Sequence, residues 1–176
     1  GAGVLMARSV EFGRRYNVPI IVKSTFTNNK GTVVKEKTME EAIVSGVTHN
    51  DKEVKFTLFG VPDQPGIAGT VFGSLSEIGT NVDMIVQNVS KESITDISFT
   101  APSEQQKDVE DALKNISKQL DAKGYDVDEN IARISIIGAG MKSESGVASK
   151  MFKTLGDNKI NISMISTSPI RVSCVI

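Results

Sequence analysis

A turn between two predicted elements carries the residues of this sequence best suited to bind a small charged ligand. In VPDQPGIAG, Val61 to Gly69, Pro65 restricts the backbone and Gly66 lets a ligand approach it closely. The amides of Gly66, Ile67 and Ala68 are expected to lie unpaired at the start of a predicted helix, where such groups attract a carboxylate. Asp63 offers a carboxylate nearby that could receive an ammonium group. An α-amino acid requires these two complementary charges, although the same residues also suit an ordinary turn followed by a helix.

Two amide side chains on the segment after this helix extend the predicted pocket. Asn81 and Gln87 lie on a predicted strand and could add hydrogen bonds to the same ligand.

The other candidates for a functional site are weaker. GAGMKS, Gly138 to Ser143, lacks both the third glycine of a dinucleotide site and the residue order of a phosphate loop. Cys174 alternates with apolar residues, which indicates a buried thiol, and His49 is predicted to be solvated in a turn.

Composition excludes several classes of protein. The chain has 176 residues, 20 Lys+Arg and 21 Asp+Glu, so its formal net charge of -1 argues against a nucleic-acid binder. One cysteine excludes an internal disulfide framework, and one histidine excludes a metal site that needs two. No apolar run approaches the roughly 18 residues of a membrane span. No signal peptide is visible, so we expect a cytoplasmic protein without metal, membrane or nucleic-acid partners.

The sequence contains two copies of one pattern, Lys55 to Ser90 and Arg133 to Ser168. They align at a constant offset of 80 residues over the helix and the strand that follows it. The identical pairs are Gly66–Gly146, Ala68–Ala148, Phe72–Phe152, Leu75–Leu155, Asn81–Asn161, Met84–Met164 and Ile85–Ile165. The strands before them align at an offset of 78, so the second copy has a longer turn. Two copies predict two like domains rather than a solenoid, which needs at least three repeats.

Hydrophobic periodicity predicts the elements of each copy. The first reads strand, helix, strand, strand, helix and a weak final strand near Tyr125 to Asp128. This order is that of a split βαβ, ferredoxin-like unit, so the predicted fold is α+β with two βαββαβ domains in tandem. One face of each sheet is polar, as in antiparallel sheets covered by helices on one side. The second copy is predicted to be truncated after its third strand, Arg171 to Ile176.

The residues before the first copy belong to neither copy. Val4 to Tyr16 is predicted to be helical, and the apolar run Val18 to Val22 is typical of a strand buried on both faces. A charged linker then leads to a short predicted strand, Ala42 to Val47. The domains predicted on this basis are 1–38 for the leader and linker, 39–130 for the strand plus the first unit, and 131–176 for the second unit.

The repeat and the turn together resemble a known family. MEEAIVSGVTHN, FGVPDQPGIAGTVF, NVDMIVQNVS and ISIIGAGMKSESGVASKMF are similar to the tandem ACT domains in the regulatory part of bacterial aspartate kinase. The leader resembles the last helix and strand of that family's kinase domain. The resemblance covers essentially the whole chain, and it implies a feedback sensor for lysine or threonine. The family also interleaves its domains, which implies that the strand at 42–47 completes the second sheet.

The resemblance assigns effector-binding residues position by position. They are Asp63, Gln64, Pro65, Gly66, Ile67, Ala68, Asn81, Val82, Asp83 and Gln87 in the first copy, and Val147, Ala148, Asn161, Ile162 and Ser168 in the second. No acid in the second copy aligns with Asp63, and the nearest carboxylate there is Glu144.

The resemblance also implies cofactors and partners. ATP and Mg²⁺ would serve the kinase domain of the parent enzyme, and no cofactor or catalytic residue is expected within these 176 residues. A homodimer or a kinase-bearing subunit is the expected protein partner. Two alternatives are a standalone ACT sensor without a kinase and an RNA-binding ferredoxin-like domain. The kinase-like leader argues against the first, and the lack of paired aromatic residues on the central strands argues against the second.

Overall fold

The computed structural model describes residues 4–35, 44–89, 93–138 and 146–176. Its elements, in chain order, are α1 (Ala7–Arg15), β1 (Ile20–Val22), β2 (Thr32–Val34), β3 (Gly46–Asn50), β4 (Glu53–Pro62), α2 (Ile67–Glu77), β5 (Ile85–Val89), β6 (Ile94–Pro102), α3 (Gln106–Gln119), β7 (Gly124–Asp128), β8 (Arg133–Ile137), α4 (Gly146–Asp157), β9 (Met164–Ser168) and β10 (Arg171–Val175). Two four-stranded antiparallel sheets form two ferredoxin-like units, which confirms the predicted fold class.

The first unit is a βαββαβ sheet in the order β5-β6-β4-β7, with α2 and α3 on one face. Its core contains alternate residues of the central strands and the apolar stripes of both helices. The fully buried members are Phe56, Leu58, Val61, Val71, Leu75, Ile97, Phe99, Val109 and Leu113. The rings of Phe56 and Phe99 stack at 5.3 Å, because they are cross-strand neighbours on the helix side. Ser103 lies in a short 3-10 turn that leads into α3.

The second unit completes its sheet with a strand from before the first unit. Its order is β3-β8-β10-β9, so β3 occupies the place that β7 has in the first sheet. The predicted strand 42–47 is wrong in its bounds, because β3 spans Gly46–Asn50 and residues 42 and 43 lie outside the described residues. The register pairs Val47 with Ile136 and Thr48 with Ser135, so apolar and polar side chains keep to opposite faces.

One helix, α4, covers the second sheet within the described residues, where the first sheet has two. Beside α4 lies an apolar groove of about 620 Å³. Its floor includes Ile134 and Ile136, which align with the buried Phe56 and Leu58 of the first unit. The groove therefore corresponds to the position that α3 occupies in the first unit.

The two units meet through the faces of their sheets that carry no helices. Met84 and Met164, which are equivalent in the repeat, lie in one buried cluster with Ile131 and Val175. Polar residues of these faces are buried as well, and Ser135 and Ser173 share a hydrogen bond of 2.7 Å. The polar face predicted for each sheet is therefore a contact surface between the units rather than a solvated one.

The leader is less buried than the sequence predicts. The strand from 18–22 is shorter than expected and pairs with β2 in a two-stranded hairpin. Ile21 is 57% exposed and Val18 is 56% exposed, so burial on both faces is wrong for the described part of the chain. Two strands and one short helix bury too little apolar surface to form a core of their own.

None of the described helices is long and apolar enough to cross a membrane.

Candidate effector site

The start of α2 provides an open site for an anion. Gly66 has φ of +96°, a left-handed conformation that glycine adopts without a steric cost, and it turns the chain from the loop into the helix. No side chain among the described residues caps this helix N-terminus. A methyl group built on Gly66 or on Gly69 would meet no atom within 4 Å, so the space beside both residues is open. The Ala68 and Gly69 amides are therefore accessible to a ligand, whereas the expectation that the Ile67 amide is unpaired is wrong, because its N–H donates to the Gln64 carbonyl.

The loop before α2 places a carboxylate beside this helix start. The backbone N–H of Asp63 donates to the carbonyl oxygen of Ser93 at 2.9 Å, which holds Asp63 at the end of β4. Its side chain is exposed and forms no ion pair with any described residue. Gln64 and Pro65 are exposed too, and the Ile67 N–H donates to the Gln64 carbonyl at 3.3 Å. The Asp63 carboxylate is thus free to accept hydrogen bonds from an ammonium group.

The segment before β5 lies at the opposite end of the first sheet from the start of α2, because the Asp83 N–H donates to the Thr100 carbonyl whereas the Asp63 N–H donates to the Ser93 carbonyl. Ile67 at the helix start and Val82 both pack against the first core and are half-buried. Asn81 and Ala68 are exposed beside them in sequence, and Gln87 is exposed on β5, an edge strand. Ile67 and Val82 thus pack on the same core at its two ends, and the structure does not bring Asn81 beside the helix start. Ile67 and Val82 contribute packing and backbone groups rather than polar side chains.

The second unit repeats this arrangement incompletely. Val147 and Ala148 at the start of α4 pack against the second core, as does Ile162. Asn161 and Ser168 are exposed. The turn that would correspond to Asp63 lies within 139–145, outside the described residues, and so does the predicted candidate Glu144.

Asp83 faces away from the predicted pocket. The Arg133 guanidinium donates to its carboxylate through Nη1, and Arg171 Nη2 lies 3.7 Å from its Oδ1. Both arginines belong to the second unit. Sequence reasoning missed them, although the alternation of Arg133 with Ile134 already places Arg133 on the polar face of its strand.

Two residues set aside in the sequence have clear positions. Cys174 is fully buried in the second core, and burial raises the pKa of its thiol, which disfavours the reactive thiolate. His49 is exposed as predicted but lies on β3 rather than in a turn. The described residues contain no cluster of His, Cys, Asp and Glu suited to a metal ion.

Family models match both units. The model of the ACT domain matches residues 55–121, and a second model, also described as an ACT domain, matches residues 134–176. These two ranges contain the helix starts at Gly66 and Gly146.

Individual relatives extend the match to the whole chain. The aspartate kinase of Pseudomonas fluorescens is 45% identical over 179 residues, which cover 100% of this chain and 43% of that relative. The chain thus spans less than half the length of that enzyme.

Two solved structures have a similar fold. The ligand-free regulatory subunit of aspartate kinase from Thermus thermophilus is 36% identical, with a TM-score of 0.73 over 77% of this chain and 89% of that one. A structure of aspartokinase alpha and beta subunits is 38% identical, with a TM-score of 0.71 over 76% of this chain and 87% of that one.

Proposed function

Because the chain belongs to the aspartokinase family and forms the tandem ACT region of its regulatory part, we propose that it senses lysine, threonine or both. The observation that carries this proposal is the uncapped start of α2 beside the unpaired Asp63 carboxylate. The ligand's carboxylate accepts hydrogen bonds from the Ala68 and Gly69 amides, since the Ile67 N–H already donates to the Gln64 carbonyl, and its ammonium group contacts Asp63. Gln87, which is exposed on β5, adds a neutral hydrogen bond.

The effector acts on the arrangement of the ACT units. In the whole enzyme this arrangement favours or disfavours the active kinase, which gives feedback inhibition as a coupling free energy between distinct sites, typically ~1–3 kcal/mol. The reaction inhibited is the ATP- and Mg²⁺-dependent phosphorylation of aspartate, carried out by a kinase domain. Supporting this link, the leader exposes apolar side chains at Val18, Ile21 and Val33, which suit contact with a further domain.

We propose a homodimer as the assembly. The edge strands β5 and β9 expose Ile85 (50%) and Ile165 (44%), two positions that are equivalent in the repeat. Each edge carries unpaired backbone groups on its outer side, which suit pairing with another strand. A kinase-bearing subunit is the second expected partner, and the similar structure of aspartokinase alpha and beta subunits contains two kinds of subunit.

Isothermal titration of the 176-residue chain with L-lysine and L-threonine tests the sensor function directly. Binding of one or both with a defined stoichiometry supports the proposal, and D-lysine and D-threonine serve as matched controls. The contacts with carboxylate and ammonium, together with the packed core under Ile67, predict discrimination between enantiomers. Equal heats for L and D forms, or no binding by either L form at millimolar concentration, would contradict the proposal.

A further inference from the structure

The two units are joined by two short connections that lie side by side. Residues 51–52 connect β3 to β4, and residues 129–132 connect β7 to β8. Because Asn50 and Arg133 are register partners, both connections leave the second sheet from neighbouring strands. A rotation of one unit about this common line bends the two connections and no other part of the backbone. Contacts elsewhere between the units therefore hold together the two sheet faces that carry no helices.

One carboxylate outside the connections makes such a contact. The Arg133 guanidinium donates to the Asp83 carboxylate through Nη1, and Arg171 Nη2 lies 3.7 Å from Asp83 Oδ1. Arg133 begins β8 and Arg171 begins β10, and these antiparallel neighbours place the two arginines at opposite ends of the same sheet face. One carboxylate of the first unit is thus held by two cations of the second.

A second carboxylate, that of Glu53, is fixed at the connections instead. Arg133 Nη2 lies 2.7 Å from Glu53 Oε1, and the Asn50 side chain donates to the same oxygen at 2.7 Å. The Arg133 and Glu53 side chains are only 13% and 6% exposed. Since these three residues border the connections, their bonds keep the guanidinium in place during a rotation, whereas the rotation carries Asp83 away from it.

The contact at Asp83 adjoins two thioethers that are buried between the units. Met84 follows Asp83, and its equivalent in the repeat is Met164 of the second unit. The two side chains lie in one cluster with Val175 and are 2% and 5% exposed. A separation of the units at Asp83 therefore exposes both sulfur atoms.

This contact exists on one side of the pair of units. In the repeat, Asp83 aligns with Ser163 and Arg133 aligns with Lys55. The reciprocal positions contain a cation but no acid, so duplication of one unit does not by itself produce the contact.

We propose that Asp83 is a latch between the two units. Bound to Arg133 and Arg171, it holds the two sheet faces closed, and its release lets the units rotate about the connections. The latch lies at the opposite end of the first sheet from the start of α2, so this inference goes beyond the sensor function and does not depend on it. It assigns the Asp83 carboxylate to the second unit rather than to the ligand's ammonium group.

Oxidation of methionine by hydrogen peroxide measures opening of the latch in the unliganded 176-residue chain. Met6 is 76% exposed and should oxidise fastest, whereas Met84 and Met164 should react only when the units separate. Their oxidation rates, measured by peptide mass spectrometry, are proportional to the population of the open form when opening and closing are fast. Met151 is buried in the second core, so its oxidation reports unfolding of that unit.

Asp83→Asn removes the charge of the latch and keeps its shape. We expect Met84 and Met164 to oxidise about three- to tenfold faster, the range for loss of a partly exposed ion pair, and Met151 to keep its rate. Asp126→Asn is the matched control, since it removes an exposed carboxylate on β7 that forms no ion pair with a described residue. It should leave all of these rates unchanged.

Asp83→Lys is a stronger perturbation, because it places a third cation beside Arg133 and Arg171. We expect both buried methionines to oxidise faster than in Asp83→Asn. Unchanged oxidation of Met164 in both variants would overturn the latch. An increase at Met84 alone would also overturn it, since it would reflect local loosening beside the substituted residue. An equal increase at Met151 in both variants would attribute the exposure to unfolding rather than to rotation, and the latch would fail on that result too.

Discussion

Removing the Asp63 carboxylate should abolish most of the thermal stabilisation by the effector without changing the unliganded protein. Asp63 is exposed and forms no ion pair with a described residue, so Asp63→Ala should cost less than about 0.5 kcal/mol of stability without ligand. A ligand at 100 times its dissociation constant stabilises the native state by ~2.7 kcal/mol. For a chain of this length that corresponds to a rise in melting temperature of about 5–10 °C.

Loss of one charged partner from a desolvated pair costs on the order of 2–5 kcal/mol of binding, which removes most of that rise. Differential scanning calorimetry with and without L-lysine or L-threonine measures it. Gln87→Ala should have a smaller effect, because a neutral hydrogen bond contributes roughly 0.5–1.5 kcal/mol. Glu77→Ala is the matched control, since it removes an exposed carboxylate at the opposite end of α2. An unreduced response in Asp63→Ala would refute the placement of the ammonium group.

Three further outcomes follow from the packing. Leu75→Ala should lower the free energy of unfolding by about 2–5 kcal/mol, and the equivalent Leu155→Ala should lower it by less, because Leu155 borders the open groove. Chemical denaturation measures both values, and equal losses of stability would contradict this role of the groove. Cys174 should resist alkylation in the native state at pH 8 and react on unfolding, since burial raises its thiol pKa and blocks access; rapid native labelling counts against it. Light scattering should show a species larger than the 18.9 kDa monomer that Ile85→Lys dissociates, and a monomer at high concentration speaks against pairing through β5.

The sequence predicts the fold well because its signals are local and occur twice. The stripes of α2 and α4, with Leu75 and Leu155 at the same offset, identify two copies of one unit, and alternation along β6 and β10 identifies the central strands. The pairing of β3 with β8 is not a local signal. It came from the family resemblance, and its bounds shifted because the strand continues through residues 48–50, which pair with Ser135, Ile134 and Arg133.

Only those features of the candidate site that depend on residues adjacent in sequence could be predicted. The residues next to Gly66 in sequence are sufficient to predict the helix start, because their types are those of a turn. The partners of Asp83 are not adjacent to it, since Arg133 is 50 residues away and belongs to the other unit. Periodicity assigns Arg133 to the polar face of a strand but does not reveal that another sheet covers that face.

The participation of β3 in the second sheet makes the first unit an insertion. The chain leaves the second sheet at Asn50, builds an entire unit, and returns at Arg133, the residue paired with Asn50. The ends of the inserted unit thus lie one strand spacing apart, about 5 Å. Pairing of β3 with β8 is distant in sequence until the first unit folds and brings its own ends together, so folding of the inserted unit should precede completion of the host sheet. Unfolding the insertion also separates β3 from β8, whereas loss of the host sheet leaves every strand of the insertion in place. A two-residue hairpin turn substituted for residues 51–132 would preserve the host's strand order with no insertion at all.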